Sequence, residues 1–243
     1  MRARLVHSVF ALAASAALLV ACGAPTPPPD APSADGTAYR FVPEAPDAIA
    51  VGLVLITPDL LPAGVSASEV IEIGPDVFAG EFALVGADGA FSVPLPAAAD
   101  VPAATLMPLA EAVANFSACT VDASPLAAEA TFTIFEGITI PGLIALTSEG
   151  TFLMYATDAE LDPDAMGFEG TAYGWMFVDR DAQLSTSGCA YEADLELSEG
   201  WNQLAWTSVA STITVEVVPE TDVFATAVLP FPPIVVVLGP DAE

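Results

Sequence analysis

The stretch TAYGWMFVD, residues 171–179, decides how the rest of the chain is interpreted. It is dense in aromatic residues, which favour strands over helices. Because successive side chains of a strand point to opposite faces, the aromatic residues share one face and the remaining large apolar residues share the other: Tyr173, Trp175 and Phe177 against Met176 and Val178. Both faces are apolar, so we expect this strand to be covered on both sides.

The surrounding sequence predicts further strands at intervals of roughly ten residues, with Gly and Pro between them. Ala190–Leu197 alternates apolar and acidic residues, which is typical of a strand with one face on a core and one in water. Gly86-Ala87-Asp88-Gly89 between two apolar runs predicts a hairpin turn. One short helix is expected near residues 106–116, beginning close to Pro108. The pattern predicts an all-β protein with a β-sandwich fold.

Two short stretches resemble known β proteins. Gly86–Pro96 is similar to a hairpin of transthyretin-like and carboxypeptidase-regulatory-like β-sandwich modules, which implies an immunoglobulin-like or transthyretin-like sandwich with an accessory or adhesive role. Tyr173–Arg180 followed by Leu195–Asn202 resembles uncharacterised surface lipoproteins of the deinococci. That second resemblance implies no particular activity.

The start of the chain has the features of an export signal. Arg2 and Arg4 precede an apolar run from Leu5 to Val20, and small residues follow. Leu19-Val20-Ala21-Cys22 resembles the lipobox of bacterial lipoproteins. The resemblance implies cleavage before Cys22, a diacylglyceryl thioether on its sulfur and an acylated amino group. Gly23 replaces the Asp that favours inner-membrane retention in such lipoproteins, so we expect the outer membrane or the cell surface.

The sequence therefore predicts three parts: a signal peptide over 1–21, a tether rich in Pro and Ala over 22–38, and a β-sandwich domain over 39–243. The domain is expected either as one body or as two packed lobes that meet near residue 120. A simple signal helix or membrane span is the alternative for the first part, but the Pro-rich segment that follows suits a tether better.

Charge is strongly unbalanced along the chain. The 243 residues contain 32 acidic and 4 basic side chains, with a formal net charge of −28, and there is no lysine. Loss of Arg2 and Arg4 with the signal takes the formal charge from −28 to −30 and leaves Arg40 and Arg180. Such a chain is repelled by nucleic acid. Adaptation to high salt is one explanation of the acidity, and solubility with a bias in composition is the alternative.

The missing residue types exclude several kinds of chemistry. His7, the only histidine, lies in the signal. The mature chain therefore has no Ser–His–Asp or Cys–His nucleophile and no imidazole ligand for zinc. The absence of lysine removes Schiff-base chemistry. We expect a structural or binding role at the cell envelope without catalysis, with an envelope protein or a glycan as partner; the alternative is a metal- or carboxylate-dependent hydrolase.

The three cysteines divide into one lipidation site and one pair. Cys22 is assigned to the lipid, which leaves Cys119 and Cys189. In an exported chain two remaining cysteines are expected to form a disulfide. Two buried thiols are the alternative.

An acidic stretch offers a candidate cation site, with carboxylates at EF-hand positions 1, 3, 5, 7 and 12: Asp158, Glu160, Asp162, Asp164 and Glu169. Pro163 stands where such a loop needs Gly, and no flanking helices are evident. We favour a solvated acidic loop over a Ca²⁺ site, and we expect no other cofactor.

Three further groups are candidates for binding. The aromatic residues could line a sugar or peptide platform, although core positions are the more common role: Trp175, Trp201, Trp206, Tyr155, Tyr173 and Tyr191. Trp201 is expected to be the most exposed of them. Arg180 is expected to pair in bidentate fashion with a neighbouring carboxylate and to fix a strand end, with anion binding as the alternative. Glu192 and Asp194 are a carboxylate pair of the kind that glycoside hydrolysis uses, but the solvated face of their strand explains them better.

Overall fold

The structure is a computed structural model, which describes residues 32–40, 47–53, 55, 71–73, 82–114, 120–131, 143–160, 170–188, 191–209, 212–230 and 234–236. The first nine strands are β1 Ser33–Tyr39, β2 Ala48–Leu53, β3 Ile71–Ile73, β4 Phe82–Leu84, β5 Ala90–Pro94, β6 Met107–Pro108, β7 Thr120–Ser124, β8 Glu129–Thr131 and β9 Leu143–Thr147. The others are β10 Gly150–Thr157, β11 Thr171–Val178, β12 Ala182–Ser187, β13 Tyr191–Leu197, β14 Gly200–Val209, β15 Thr212–Val218, β16 Val223–Pro230 and β17 Ile234–Val236. Helix α1 spans Leu109–Ala114, and two 3₁₀ turns span Ala98–Asp100 and Ala103–Thr105.

The described part of the chain is all-β, as the alternation of its residues predicts. Helix α1 lies inside the predicted helical window and begins directly after Pro108. Pro108 itself lies in β6, where it pairs with Glu129 of β8, so the helix starts one residue after the proline.

Fifteen strands form one sheet with two arms that meet at β10 and β11. The first arm has the order β4-β2-β9-β10-β16-β1-β5, and the second has the order β6-β8-β11-β14-β15-β13-β12-β7. The arms join where Thr157 of β10 pairs with Ala172 of β11. Most pairs are antiparallel, but β1 with β16 and β13 with β15 are parallel. β3 and β17 form a separate parallel pair.

Strand β11 contributes to both hydrophobic clusters of the described residues, as its two apolar faces predict. Trp175 and Phe177 pack in the first cluster, together with buried residues of the first arm such as Val51, Leu143 and Met154. Met176 and Val178 pack in the second cluster, together with Leu109, Leu184, Leu195 and Leu204. The two clusters therefore lie on opposite sides of one strand, and β11 is where they meet.

The ordered sheet begins at Ser33, earlier than the composition predicts. Residues 33–38 were expected in the tether, but they form most of β1, which pairs with β5 on one edge and β16 on the other. Gly36 has a packing reason to be small: a Cβ there would lie 2.3 Å from the main-chain oxygen of Val223 and 2.8 Å from Cζ of Phe91. A side chain is therefore excluded at this position of β1.

The predicted turn between β4 and β5 is present, with a different strand pairing from a simple hairpin. The Gly86 N–H donates to the Ala90 oxygen at 2.8 Å, and Gly89 has a φ of 85°, which a glycine adopts without strain. However, β4 pairs with β2 and β5 pairs with β1. The turn thus links the two ends of the first arm, so this arm curls around its cluster.

Candidate functional site

The described aromatic candidates divide between the two clusters: Trp175, Tyr173 and Trp201 belong to or pack on the first, and Trp206 packs on the second. Trp175 is 3 % exposed in the first cluster, and Trp206 is half-buried against the second cluster. Tyr155 and Tyr173 are half-buried; burial raises the pKa of both phenols, and the nearby Asp158 raises that of Tyr173 further. The side chain of Tyr191 lies outside the described residues. The described aromatic residues thus serve mainly to pack strands.

Trp201 is half-buried and holds a specific contact. Its Nε1–H donates to the main-chain oxygen of Pro96 at 2.8 Å, and its ring meets Phe177 edge-on at 5.5 Å between centroids. Pro96 follows Leu95, whose N–H donates to the oxygen of Pro32 at 3.0 Å. Trp201 therefore links β14 to the Leu95–Pro96 segment, which also contacts Pro32. The indole N–H is occupied by a hydrogen bond within the protein.

Arg180 and its two acidic neighbours form a structural corner between β11 and β12. Both Nε and Nη2 of Arg180 donate to Oδ2 of Asp179, at 2.9 and 2.5 Å. Asp179 Oδ1 accepts the main-chain N–H of Glu129 at 2.8 Å, and Asp181 Oδ1 accepts that of Glu199 at 2.8 Å. The predicted bidentate pairing thus differs in one respect: both nitrogens bind one oxygen, because the other holds the start of β8.

The hydrogen bond from Arg180 lowers the pKa of Asp179, with burial acting in the opposite direction. The same contact raises the pKa of Arg180. At the other described arginine, Arg40 donates from Nε and Nη2 to the two carboxylate oxygens of Asp47. Within the described ranges both arginines are thus paired with carboxylates, and neither presents an isolated positive charge.

The acidic stretch is described only at its beginning. Asp158 and Glu160 are exposed, while Asp162, Asp164 and Glu169 lie outside the described residues. The Thr157 hydroxyl donates to the oxygen of Ala159 at 2.6 Å, and the N–H of Ser208 donates to the oxygen of Gly170 at 3.3 Å. In the part of the chain that the structure describes, no three acidic, Cys or His side chains are grouped closely enough to hold a metal ion.

The outer face of β13 continues across its neighbours as a polar surface, which we call the polar face. One row across the strands is Asp122, Ser185 and Asp194, and the next is Ser124, Gln183 and Glu196. Glu192 pairs with Thr214 of β15. Glu192 and Asp194 are both exposed, as the alternation of β13 predicts. In the first row Ser185 separates Asp122 from Asp194, so these two carboxylates stand about 10 Å apart across two strand spacings.

Two buried amides that the sequence analysis did not single out fix the turns beside β14. Asn202 donates from Nδ2 to the oxygens of Ser198 and Gly200 at 2.8 and 3.1 Å, and its Oδ1 accepts the Ser198 N–H at 3.0 Å. Gln203 exchanges two hydrogen bonds with the main chain of Thr221, at 3.0 and 2.7 Å. The sequence does mark these two amides, because Asn202 and Gln203 interrupt the otherwise apolar Trp201–Trp206 run.

The structure does not describe the remaining predicted site residues, which are Cys22, Cys119 and Cys189. The whole of 1–31 lies outside the described residues. Among the described residues, none of the helices has the length and hydrophobicity to cross a membrane.

Comparison with protein-family models, curated proteins and solved structures finds no match for this chain. Its function must therefore be argued from its own residues.

Proposed function

We propose that this protein is a lipid-anchored component of the bacterial cell envelope with a structural or binding role. The observation that carries the proposal is the lipobox-like Leu19-Val20-Ala21-Cys22 after a charged and apolar start. The lipid on Cys22 is the membrane contact, and several acyl chains hold a protein firmly where one would be marginal. Gly23 after the cysteine favours the outer membrane or the cell surface over the inner membrane.

The chain between the anchor and the sheet is short. Ten residues separate Cys22 from Ser33, the first residue of β1. Ten residues span at most about 35 Å when fully extended. This length is an upper limit on the distance between a lipid on Cys22 and the first strand. A β-sandwich of immunoglobulin-like or transthyretin-like type is the finer form of the fold that we propose, supported by the alternating burial of β13 and the double burial of β11.

A binding role is better supported than catalysis by the way the described polar groups are used. The Arg180 guanidinium and the Asn202 and Gln203 amides hold main chain or a neighbouring carboxylate. The polar face is exposed and carries carboxylates, hydroxyls and an amide, so an envelope protein or a glycan could bind it through hydrogen bonds. The acidic stretch belongs to the proposal as solvated surface, without a cofactor.

Cell fractionation tests the anchor. The Cys22→Ser variant should leave the membrane fraction or accumulate as unprocessed precursor, whereas a Cys119→Ser variant should fractionate like the wild type. A Cys22→Ser protein with wild-type processing and membrane association would contradict the proposal. The hydrolase alternative requires a carboxylate pair, so glycan-cleaving activity that is lost in Glu192→Gln or Asp194→Asn would favour it instead.

A further inference from the structure

The segment that follows β5 presents an exposed surface with almost no charge. Between Asp88 and Glu111 the only charged side chain is Asp100. In residues 96–104, which we call the alanine loop, the other exposed residues are all alanines: Ala97, Ala98, Ala99, Ala103 and Ala104. Because the chain as a whole has 32 acidic side chains, this loop differs in character from surfaces such as the polar face.

Hydrogen bonds and burial fix the alanine loop beside the first described residue. The Leu95 N–H donates to the Pro32 oxygen at 3.0 Å, directly before the loop begins. The Pro96 oxygen accepts the Trp201 indole N–H at 2.8 Å, and Val101 is buried in the first cluster. The loop therefore lies at the end of β1 that is nearer to Cys22 in sequence.

The length of chain before β1 limits which side of the β domain can face a lipid on Cys22. The ten residues between Cys22 and Ser33 span at most about 35 Å. A compact domain of about 200 residues has a radius of gyration of about 17 Å, and the path around it to the far side is about 60 Å. A lipid on Cys22 would therefore bring the side that carries Pro32 and the alanine loop towards the membrane.

Charge favours the same orientation. A membrane with anionic lipids has a negative surface potential, which falls off within about 8–10 Å at moderate ionic strength. Exposed carboxylates of the polar face, such as Asp122 and Asp194, are repelled in this layer, and both described arginines are already paired with carboxylates. The alanine loop brings only Asp100 to the headgroups, so its approach costs less.

We propose that the alanine loop is the membrane-facing surface of this protein and contacts the lipid headgroups. The inference deepens the proposed lipid anchor and rests on it. The turn between β4 and β5 lies at the opposite end of β5, about 17 Å further along the strand. In this orientation that turn points away from the lipid, and it supplies a matched control position.

Energy transfer tests the orientation in the full-length, lipidated protein, reconstituted in vesicles of phosphatidylethanolamine and phosphatidylglycerol. A fluorescent donor is attached to Ala98→Cys or to the control Ala87→Cys, both of which replace exposed alanines, and the acceptor is a labelled lipid. The wild-type chain, labelled in the same way, gives the background from Cys119 and Cys189. Transfer should be greater from Ala98→Cys. Equal transfer, or greater transfer from Ala87→Cys, would overturn the inference.

Added charge tests the loop separately from the anchor. Ala99→Glu with Ala103→Glu should lower the transfer from Ala98→Cys on these anionic vesicles, but not on vesicles of phosphatidylcholine, because the added carboxylates are repelled only by an anionic surface. The control pair Ala87→Glu with Ala90→Glu adds the same charge at the far end of β5 and should leave the transfer unchanged. An equal loss from both pairs would overturn the inference.

The proposed anchor fails by a different measurement. A wild-type protein whose Cys22 carries no lipid by mass spectrometry would contradict the proposed function. A lipidated protein that shows no preference for the alanine loop would contradict only the present inference.

Discussion

The indole Nε1–H of Trp201 donates to the main-chain oxygen of Pro96, 105 residues away in sequence, at 2.8 Å. This contact joins the second arm, through β14, to the segment that follows β5 of the first arm. A residue beside a turn, which the sequence marks as the most exposed tryptophan, is thus used to connect distant parts of the fold.

Trp201→Phe should destabilise the protein, because it keeps most of the ring packing but leaves the Pro96 oxygen without its donor. The expected loss is about 1–2 kcal/mol in the free energy of unfolding, measured by urea denaturation. Trp206→Phe is the matched control, since it removes the same atoms from a half-buried indole on the other cluster. Equal effects of the two variants would show that the hydrogen bond contributes nothing specific.

Removing β1 should prevent stable folding, because the strand pairs along both edges and Ala34 lies in the first cluster. A chain that starts at Pro32 should unfold cooperatively in a thermal melt followed by circular dichroism. A chain that starts at Tyr39, the boundary that composition predicts, should show no such transition. Matching melts for the two chains would mean that β1 is dispensable.

The sequence predicts those strands in which the residue types on each face match the burial of that face. In β11 and β13 each face has a consistent character, so alternation suffices to identify them. Strand β1 is missed because its core-facing residues are small, and at Gly36 the neighbouring Val223 and Phe91 leave no room for a side chain. Likewise β7 and β12 combine short apolar residues with Ser and Thr, a composition that loops share.

Pairings between distant strands could not be obtained from local pattern at all. The parallel contact between β1 and β16 and the link from Trp201 to Pro96 depend on residues far apart in sequence. The pairing of Arg180 with an acidic neighbour was predictable, because the adjacent acids are visible in the sequence. Its use of a single oxygen was not, because the competing Glu129 N–H comes from another strand.

Stability should depend on pH through Asp179. Its pKa is lowered in the folded state from the ordinary value of 3.8, so its contribution is full above that value and is lost as pH falls through the lower, folded-state pKa. Asp179→Asn should therefore have a lower free energy of unfolding than the wild type at pH 7, and this difference should narrow at acid pH. Arg180→Gln should show the same pH dependence, and the double variant should be no less stable than Asp179→Asn. A difference in the free energy of unfolding that stays constant from pH 7 to pH 3 would contradict the ion-pair explanation.

Salt should stabilise the protein, because the chain has a formal net charge of −28 and both described arginines are already paired. NaCl screens exposed charges beyond about 8–10 Å at moderate ionic strength. The melting temperature should rise from low to moderate NaCl, and a flat response would contradict self-repulsion. At fixed, screening NaCl, millimolar CaCl₂ should add nothing. A rise that Asp158→Asn/Glu160→Gln abolishes would instead establish a cation site in the acidic stretch.

The mass of the N-terminal peptide reports whether Cys22 carries the proposed lipid. Protein purified from the membrane fraction should begin at Cys22, and its first peptide should carry the added mass of a diacylglyceryl group and an amide-linked acyl chain. Base hydrolysis should remove the ester-linked chains and lower the mass by that of those chains. A first peptide that begins at Met1, or one in which Cys22 carries no lipid, would contradict the proposed lipid anchor.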